Sequence, residues 1–195
     1  MFVQCAGITD WVPALSLLPE DDVTAAFTEV MQVNVLGPLL GALASAAELR
    51  KSEGSMVFSL STSGFLPGGQ GGLYTLSKHS AVGLVRQLAY EMAPTVRVNA
   101  VIPGPIKESR IGGPVALGQS DLYPEKVMPG IEEMLKGASP LRSYPDARDY
   151  APIYLLLADR KRARIATGSI VPWDTGISLV GHGTASMELI QQQAL

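Results

Sequence analysis

The chain has 195 residues, and its 15 basic and 18 acidic side chains leave a formal net charge of −3 at pH 7. A charge this small argues against a nucleic acid or an anionic membrane surface as a partner. Hydrophobic residues make up 47% of the sequence and charged residues 17%, which excludes an intrinsically disordered chain. We therefore expect one compact domain over residues 1–195.

The sequence contains one cysteine, Cys5, and two histidines, His79 and His182. One cysteine cannot form an internal disulfide, and these three residues lack the spacing of a zinc site, so we expect no metal. No uninterrupted apolar run approaches the roughly 20 residues that span a bilayer, and the N-terminus lacks the pattern of a signal peptide. These features predict a cytoplasmic protein without a membrane partner.

Short apolar runs alternate with longer helical patterns, which is typical of βαβ units around a parallel sheet. The first strand is predicted at residues 2–4. A helix follows at residues 19–51, because Pro19 and three acidic residues make a good helix start. A second strand at residues 56–60 precedes a helix at residues 73–93, which Pro94 should end.

Two more strands are predicted at residues 96–101 and 169–171, with a helix at residues 146–158 that Pro152 interrupts. Residues 103–140 carry six glycines and six prolines, so they predict a long excursion with one helix near residues 124–136. Long excursions of this kind are usually functional lids or disordered segments. The order of elements indicates an α/β fold, a doubly wound parallel-sheet Rossmann fold.

Four polar residues are the candidates for chemistry. Tyr74 and Lys78 share one face of a helix, and a neighbouring ammonium favours the phenolate, which predicts a Tyr74 pKa below its usual value of about 10. Alone, such a pair is more often a half-exposed tyrosine beside a solvated lysine. Ser61 follows the strand at residues 56–60, at the sheet edge where such folds bind ligands. Asn34 lies in an apolar helix, where it must be hydrogen-bonded.

The residues Asn34, Ser61, Tyr74 and Lys78, with their spacings, resemble the catalytic tetrad of the short-chain dehydrogenase/reductase family. Other family motifs follow in the family's order: Cys5-Ala6-Gly7 where the family has Asn-Ala-Gly, Val96-Arg97-Val98-Asn99, Pro103-Gly104 and Asp174-Thr175-Gly176. The runs at residues 18–30 and 64–89 look most like the bacterial aromatic cis-dihydrodiol dehydrogenases.

The resemblance implies an NAD(P)-dependent oxidoreductase that oxidises a cis-dihydrodiol of an aromatic compound to a catechol. It implies that Tyr74 is the general base, that Lys78 holds the ribose hydroxyls, that Ser61 orients the substrate oxygen and that Asn34 anchors a water for proton relay. NAD is the expected cofactor, with NADP left open. The implied substrate contacts are Ser61 and Tyr74. The implied cofactor contacts are Ala6, Gly7, Asn34, Tyr74, Lys78, Pro103, Gly104 and Ile106.

The sequence departs from the family at its start, where the glycine-rich strand–turn–helix that binds the pyrophosphate is missing. We therefore expect a Rossmann fold truncated at the N-terminus, a partial catalytic domain. The loop Gly68-Gly69-Gln70-Gly71-Gly72 is more compatible with a flexible loop than with a phosphate cradle. An alternative is a catalytically inactive remnant that acts as a subunit-interaction module. Both readings predict a homodimer or homotetramer, formed through the helices at residues 19–51 and 73–93.

Overall fold

The computed structural model describes residues 1–181, so His182 lies outside the described residues. Four parallel strands form one sheet in chain order. They are β1 (Phe2–Gln4), β2 (Ser55–Ser59), β3 (Arg97–Pro103) and β4 (Ile170–Trp173). All four predicted strands are confirmed, with bounds shifted by at most two residues. The parallel α/β class is therefore confirmed as well.

The helix expected at residues 19–51 begins later and contains one irregular turn. It consists of α1 (Val23–Met31), a π-helical turn (Gln32–Leu36) and α2 (Gly37–Ser52). The acidic residues after Pro19 form the preceding turn, in which Val23 N donates to Pro19 O at 3.0 Å. The π-helical turn carries Asn34, which is 2% exposed. Single π turns inside longer helices are often found at functional sites.

This helix also meets a membrane-span criterion that the sequence reasoning did not apply. Val23–Ser52 spans 30 residues with a mean hydropathy of 1.5 in its most apolar stretch, so by length and composition it could cross a membrane. The sequence reasoning counted only uninterrupted apolar runs and therefore overlooked a helix whose apolar residues are interspersed with polar ones. In the fold, α2 packs against the sheet so closely that a Cβ on Gly41 would lie 2.7 Å from Phe2 Cζ.

Helices cover both faces of the sheet, as expected of a doubly wound fold. On one face, α2 and α3 (Gly72–Met92) enclose the largest core cluster, which includes Met56, Phe58 and Val85. On the other face, α6 (Ala147–Ala158) packs Ile153 and Leu157 on the strands.

The helix expected at residues 146–158 is confirmed, and Pro152 lies within it rather than at its end. A capping box at Asp146 stabilises its N-terminus, because the Asp146 side chain accepts from Arg148 N at 2.6 Å and Asp146 N donates to Asp149 Oδ2 at 3.0 Å.

The excursion at residues 103–140 contains a 3-10 turn at Val115–Leu117 and two short α-helices where one helix was expected near residues 124–136. These are α4 (Pro124–Val127) and α5 (Ile131–Ala138), and Gly130 separates them with a φ of 85°. A last short helix, α7 (Ile177–Val180), follows β4. The Glu29 carboxylate on α1 accepts hydrogen bonds from two backbone groups of the excursion, Val115 N at 2.6 Å and Ala116 N at 3.0 Å. These bonds connect the excursion to α1.

Candidate active site

A cavity of about 1120 Å³ lies at the carboxyl ends of the first three strands, beneath the excursion. The excursion contributes apolar walls from Met128, Ile131, Met134 and Leu135. Of the predicted site residues, all but Asn34 line this cavity: Ala6, Gly7, Ser61, Tyr74, Lys78, Pro103, Gly104 and Ile106. An apolar cleft with a few convergent polar groups is the usual form of a small-molecule site.

Tyr74 and Lys78 lie side by side on α3 at the base of the cavity, each 5% exposed. The Lys78 ammonium is 5.4 Å from the centroid of the Tyr74 ring and donates one hydrogen bond, to Ser59 O at 3.2 Å. Its other two protons stay available to a ligand. The Tyr74 hydroxyl forms no hydrogen bond with any residue in the described part of the chain.

Three other tyrosines line the cavity, and their environments differ from that of Tyr74. Each hydroxyl is bound to protein: Tyr144 to Ile106 O and to Glu125, Tyr150 to Pro105 O, and Tyr154 to Ser59 Oγ. Burial raises the pKa of Tyr144 and of Tyr150, and it raises the pKa of Tyr154 to about 12. These three hydroxyls are occupied by protein partners, so within the described residues Tyr74 is the cavity phenol whose hydroxyl is left to bind a ligand.

Ser61 lies two residues after the end of β2 and caps the short 3-10 helix Thr62–Gly64. Its Oγ accepts a hydrogen bond from Ser63 N at 3.2 Å. Its hydroxyl proton has no acceptor among residues 1–181, so it can be donated into the cavity.

Asn34 does not line the cavity and is buried behind the residues that do. Its Oδ1 accepts from Ile8 N at 2.9 Å, and its Nδ2 donates to Ile8 O at 2.8 Å and to Ser77 Oγ at 2.9 Å. Ser77 Oγ in turn donates to Tyr74 O at 2.7 Å. The prediction that this asparagine is hydrogen-bonded is confirmed, but its partners are a distant loop and α3 rather than its own helix. Both Nδ2 protons are used, so a water could bind only at an oxygen of Asn34.

The nicotinamide and ribose end of a dinucleotide fits the residues present. A Cβ on Gly7 would lie 3.4 Å from Asn34 Oδ1 and 3.7 Å from Lys78 Nζ, so this glycine lies against both polar groups at the edge of the cavity. A Cβ on Gly104 would lie 3.0 Å from Asp174 O, so glycine there allows two backbone segments to approach closely. Cys5, which replaces the family's asparagine, accepts a hydrogen bond from Ser59 Oγ at 3.3 Å.

Sequence reasoning missed several residues of the site. Trp11 Nε1 and Gln70 Oε1 are buried without a hydrogen-bond partner in the described part of the chain, and both residues line the cavity. Arg110 also lines the cavity; its guanidinium is 4.5 Å from the centroid of the Tyr123 ring and forms no ion pair within residues 1–181. Asp10 is buried, and its carboxylate accepts a hydrogen bond from Tyr74 N. The fold brings these positions together from distant parts of the sequence, and their one local sign is the start of α3, where Gly71 offers no side-chain cap.

Comparison with known proteins identifies the family. A family model described as enoyl-(acyl carrier protein) reductase matches residues 1–178. The 3-phenylpropionate-dihydrodiol/cinnamic acid-dihydrodiol dehydrogenase of Escherichia coli is 43% identical over 191 residues, which are 96% of this chain and 69% of that protein. The chain belongs to the short-chain dehydrogenase/reductase family. A Shigella flexneri protein of the same name is also 43% identical over 191 residues, with the same coverage of both chains.

Solved structures of this family have the same fold. A short-chain type dehydrogenase/reductase from Mycobacterium marinum superposes with a TM-score of 0.71 at 26% identity, covering 90% of this chain and 63% of that one. A 4-hydroxyisoleucine dehydrogenase complexed with NADH superposes with a TM-score of 0.70 at 25% identity, covering 91% of this chain and 68% of that one. This chain therefore spans about two thirds of the length of its relatives, and the second structure supports a nicotinamide cofactor.

Proposed function

We propose that this chain oxidises a cis-dihydrodiol of an aromatic compound to a catechol, with NAD as the hydride acceptor. The observation that carries the proposal is the Tyr74 hydroxyl, which is unbonded to described residues and belongs to a ring whose centroid is 5.4 Å from the Lys78 ammonium, in the cavity that Ser61 lines. The 43% identity to a dihydrodiol dehydrogenase supports the substrate class.

In the proposed reaction, the Ser61 hydroxyl donates a hydrogen bond to one hydroxyl oxygen of the diol and orients it. Tyr74 removes the proton of that hydroxyl as general base, and the Lys78 ammonium stabilises the negative charge on the phenol. Lys78, Gly7 and Gly104 would hold the nicotinamide end of NAD, which would supply the hydride acceptor for the same carbon. The C–H and O–H bonds break, a C=O bond forms, and the ring ketone then tautomerises to the aromatic catechol.

We assign to Asn34 a role in proton release. Because both Nδ2 protons are bound to Ile8 O and Ser77 Oγ, a relay water would bind the second lone pair of Oδ1 or the backbone carbonyl. The same side chain connects the loop after β1 to α3 through Ser77, which supports a fixed distance between the cofactor and Tyr74.

We further propose that the ring substituent of the substrate carries a carboxylate. Arg110 is a cation in the cavity lining without an ion pair among the described residues, and guanidinium groups pair well with carboxylates. The related Escherichia coli enzyme is named for dihydrodiols of 3-phenylpropionate and cinnamic acid, both of which bear a carboxylate. Met128 and Met134 offer an apolar surface for the ring itself.

We propose that the protein associates with copies of itself, as a dimer or a tetramer, through α1, α2 and α3. Several large apolar side chains are exposed on these helices, among them Phe27 at 43%, Leu40 at 54% and Leu43 at 60%. A second copy would cover this surface, which is why we favour self-association over a membrane. Sedimentation at micromolar concentration should show an oligomer, and Leu43→Glu should dissociate it. A monomeric wild type would contradict the proposal.

We propose that residues 1–195 act as one catalytic domain in the cytoplasm, where the single cysteine stays reduced. NAD is favoured over NADP because a neighbouring dehydrogenase at 25% identity is complexed with NADH. The alternative, an inactive remnant that serves only in subunit contacts, predicts that the folded chain binds no dinucleotide.

The test has two steps that separate these functions. The first is titration of the purified chain with NADH, followed by nicotinamide fluorescence and by the shift in thermal unfolding. The second is NADH formation at 340 nm with NAD and cis-dihydrodiols, with the catechol identified chromatographically. We expect saturable binding and turnover, and Tyr74→Phe should abolish turnover while NADH still binds. Turnover by Tyr74→Phe would remove its role, and the absence of binding by the folded wild type would favour the remnant.

A further inference from the structure

Asp10 is a carboxylate with 0% of its surface exposed. Its Oδ1 accepts a hydrogen bond from Tyr74 N at 2.7 Å, and its Oδ2 accepts one from Leu73 N at 3.4 Å. Burial raises the pKa of this carboxyl, and the backbone hydrogen bonds lower it. Within residues 1–181 no ion pair involves Asp10. The N-terminus of α3 is therefore what compensates the burial of this group.

Asp10 replaces a cap that α3 lacks. The first N–H groups of a helix need partners outside it, and the N-cap residue here, Gly71, has no side chain to offer. Asp10 supplies the carboxylate from a distant loop, and its backbone oxygen also accepts from Gly71 N at 3.0 Å. A Cβ on Gly71 would overlap the Asp10 carboxylate. The Asp10 carboxylate can therefore occupy this place because residue 71 is a glycine.

The neighbours of Asp10 bind the excursion that covers the cavity. Thr9 N donates to Gly112 O at 2.9 Å, and Trp11 N donates to Gln119 Oε1 at 3.0 Å. Asp10 is consequently held between the excursion on one side and the start of α3 on the other. A rigid loop of this kind fixes the position of the group that it caps.

We propose that Asp10 is a positioning residue that holds Tyr74 in its reactive place by binding the backbone N–H of Tyr74. The proposal rests on the proposed acid/base function of Tyr74. Asp10 does not line the cavity, so it acts through Tyr74 and not on the substrate. Loss of the cap frees the first turn of α3, and a misplacement of about 1 Å in a reacting group costs about 100-fold in rate.

The test compares Asp10→Ala, which removes the cap, with Asp10→Asn, whose amide oxygen can still accept from Tyr74 N. We expect Asp10→Ala to lower kcat by about 100-fold with little change in KM, and Asp10→Asn to restore most of the loss. Gly71→Ala should reproduce the defect of Asp10→Ala, because its Cβ displaces the carboxylate. The matched control is Asp159→Ala: Asp159 also accepts hydrogen bonds from two backbone N–H groups, those of Lys161 at 2.7 Å and Arg162 at 3.0 Å, but neither group belongs to α3.

A second readout does not depend on turnover. Amide hydrogen exchange at Tyr74, followed by NMR, should be at least about tenfold faster in Asp10→Ala than in the wild type or Asp10→Asn, because the N–H loses its acceptor. Equal exchange in the wild type and Asp10→Ala would overturn the proposal, as would a loss of kcat no larger than in Asp159→Ala. A wild type that turns over no diol would instead refute the proposed function, and the exchange measurement would still decide the role of Asp10 as the cap of Tyr74.

Discussion

Replacement of Arg110 by glutamine should change which dihydrodiols the protein prefers. The guanidinium is exposed, so its attraction for a substrate carboxylate is weakened by water, and a fully exposed ion pair would contribute only about 0.2–1 kcal/mol. Since about 1.4 kcal/mol corresponds to a factor of ten, we expect Arg110→Gln to lower kcat/KM for a carboxylated diol by up to about fivefold.

The assay compares the cis-dihydrodiol of 3-phenylpropionate with that of its uncharged methyl ester, both measured by NADH formation. The value for the ester should stay unchanged in Arg110→Gln, and added salt should narrow the gap between the two substrates in the wild type. Lys126→Gln is the control, because the Lys126 ammonium is 4.9 Å from the same Tyr123 ring but its side chain does not line the cavity. An equal loss of kcat/KM for both substrates in Arg110→Gln would show that the arginine supports the cavity wall and does not bind the substrate carboxylate.

Three further predictions concern stability. Gly41→Val should destabilise the fold by about 1–3 kcal/mol in urea unfolding, because its side chain meets Phe2, whereas Gly83→Ala, with no atom within 4 Å of the new Cβ, should not destabilise it. Folding raises the pKa of Asp10 above 3.8, so the wild type should lose stability relative to Asp10→Asn as the pH rises through the folded pKa, measured by urea unfolding between pH 4 and 8. Arg97→Leu should cost about 3 kcal/mol in thermal or urea unfolding, since the guanidinium binds three backbone carbonyls at 2.8–3.1 Å.

The sheet was predictable because each strand is a short apolar run between turn residues, and buried parallel strands have that simple signature. The start of the first long helix was predicted less well. Pro19 and its acidic neighbours favour a helix, yet they form a turn, and the helix begins at Val23. The π-helical turn has no local signature, and its residue Asn34 forms hydrogen bonds with Ile8, a loop residue 26 positions earlier.

The site residues were predictable where they lie close together in the sequence. Tyr74 and Lys78 are four residues apart on one helix, so the helix alone brings them together. Asp10 and Arg110 reach the site only through the tertiary fold, because Asp10 is 64 positions from Tyr74. The contact between Asp10 and the start of α3 did have one local sign. Gly71 leaves that helix start without a side-chain cap, which indicates that the cap comes from elsewhere in the chain.

The π-helical turn lets one long helix keep a single continuous row of buried residues. The buried residues Ala26, Val30, Asn34, Pro38 and Ala42 recur every four positions. In an ideal α-helix such a row winds about 40° around the axis at each step, because a turn takes 3.6 residues. The wider turn absorbs part of this drift. The number of residues in this segment therefore matters as much as their identity: deletion of a single residue there would rotate everything beyond it by about 100°, turning the apolar flank of α2 away from the sheet.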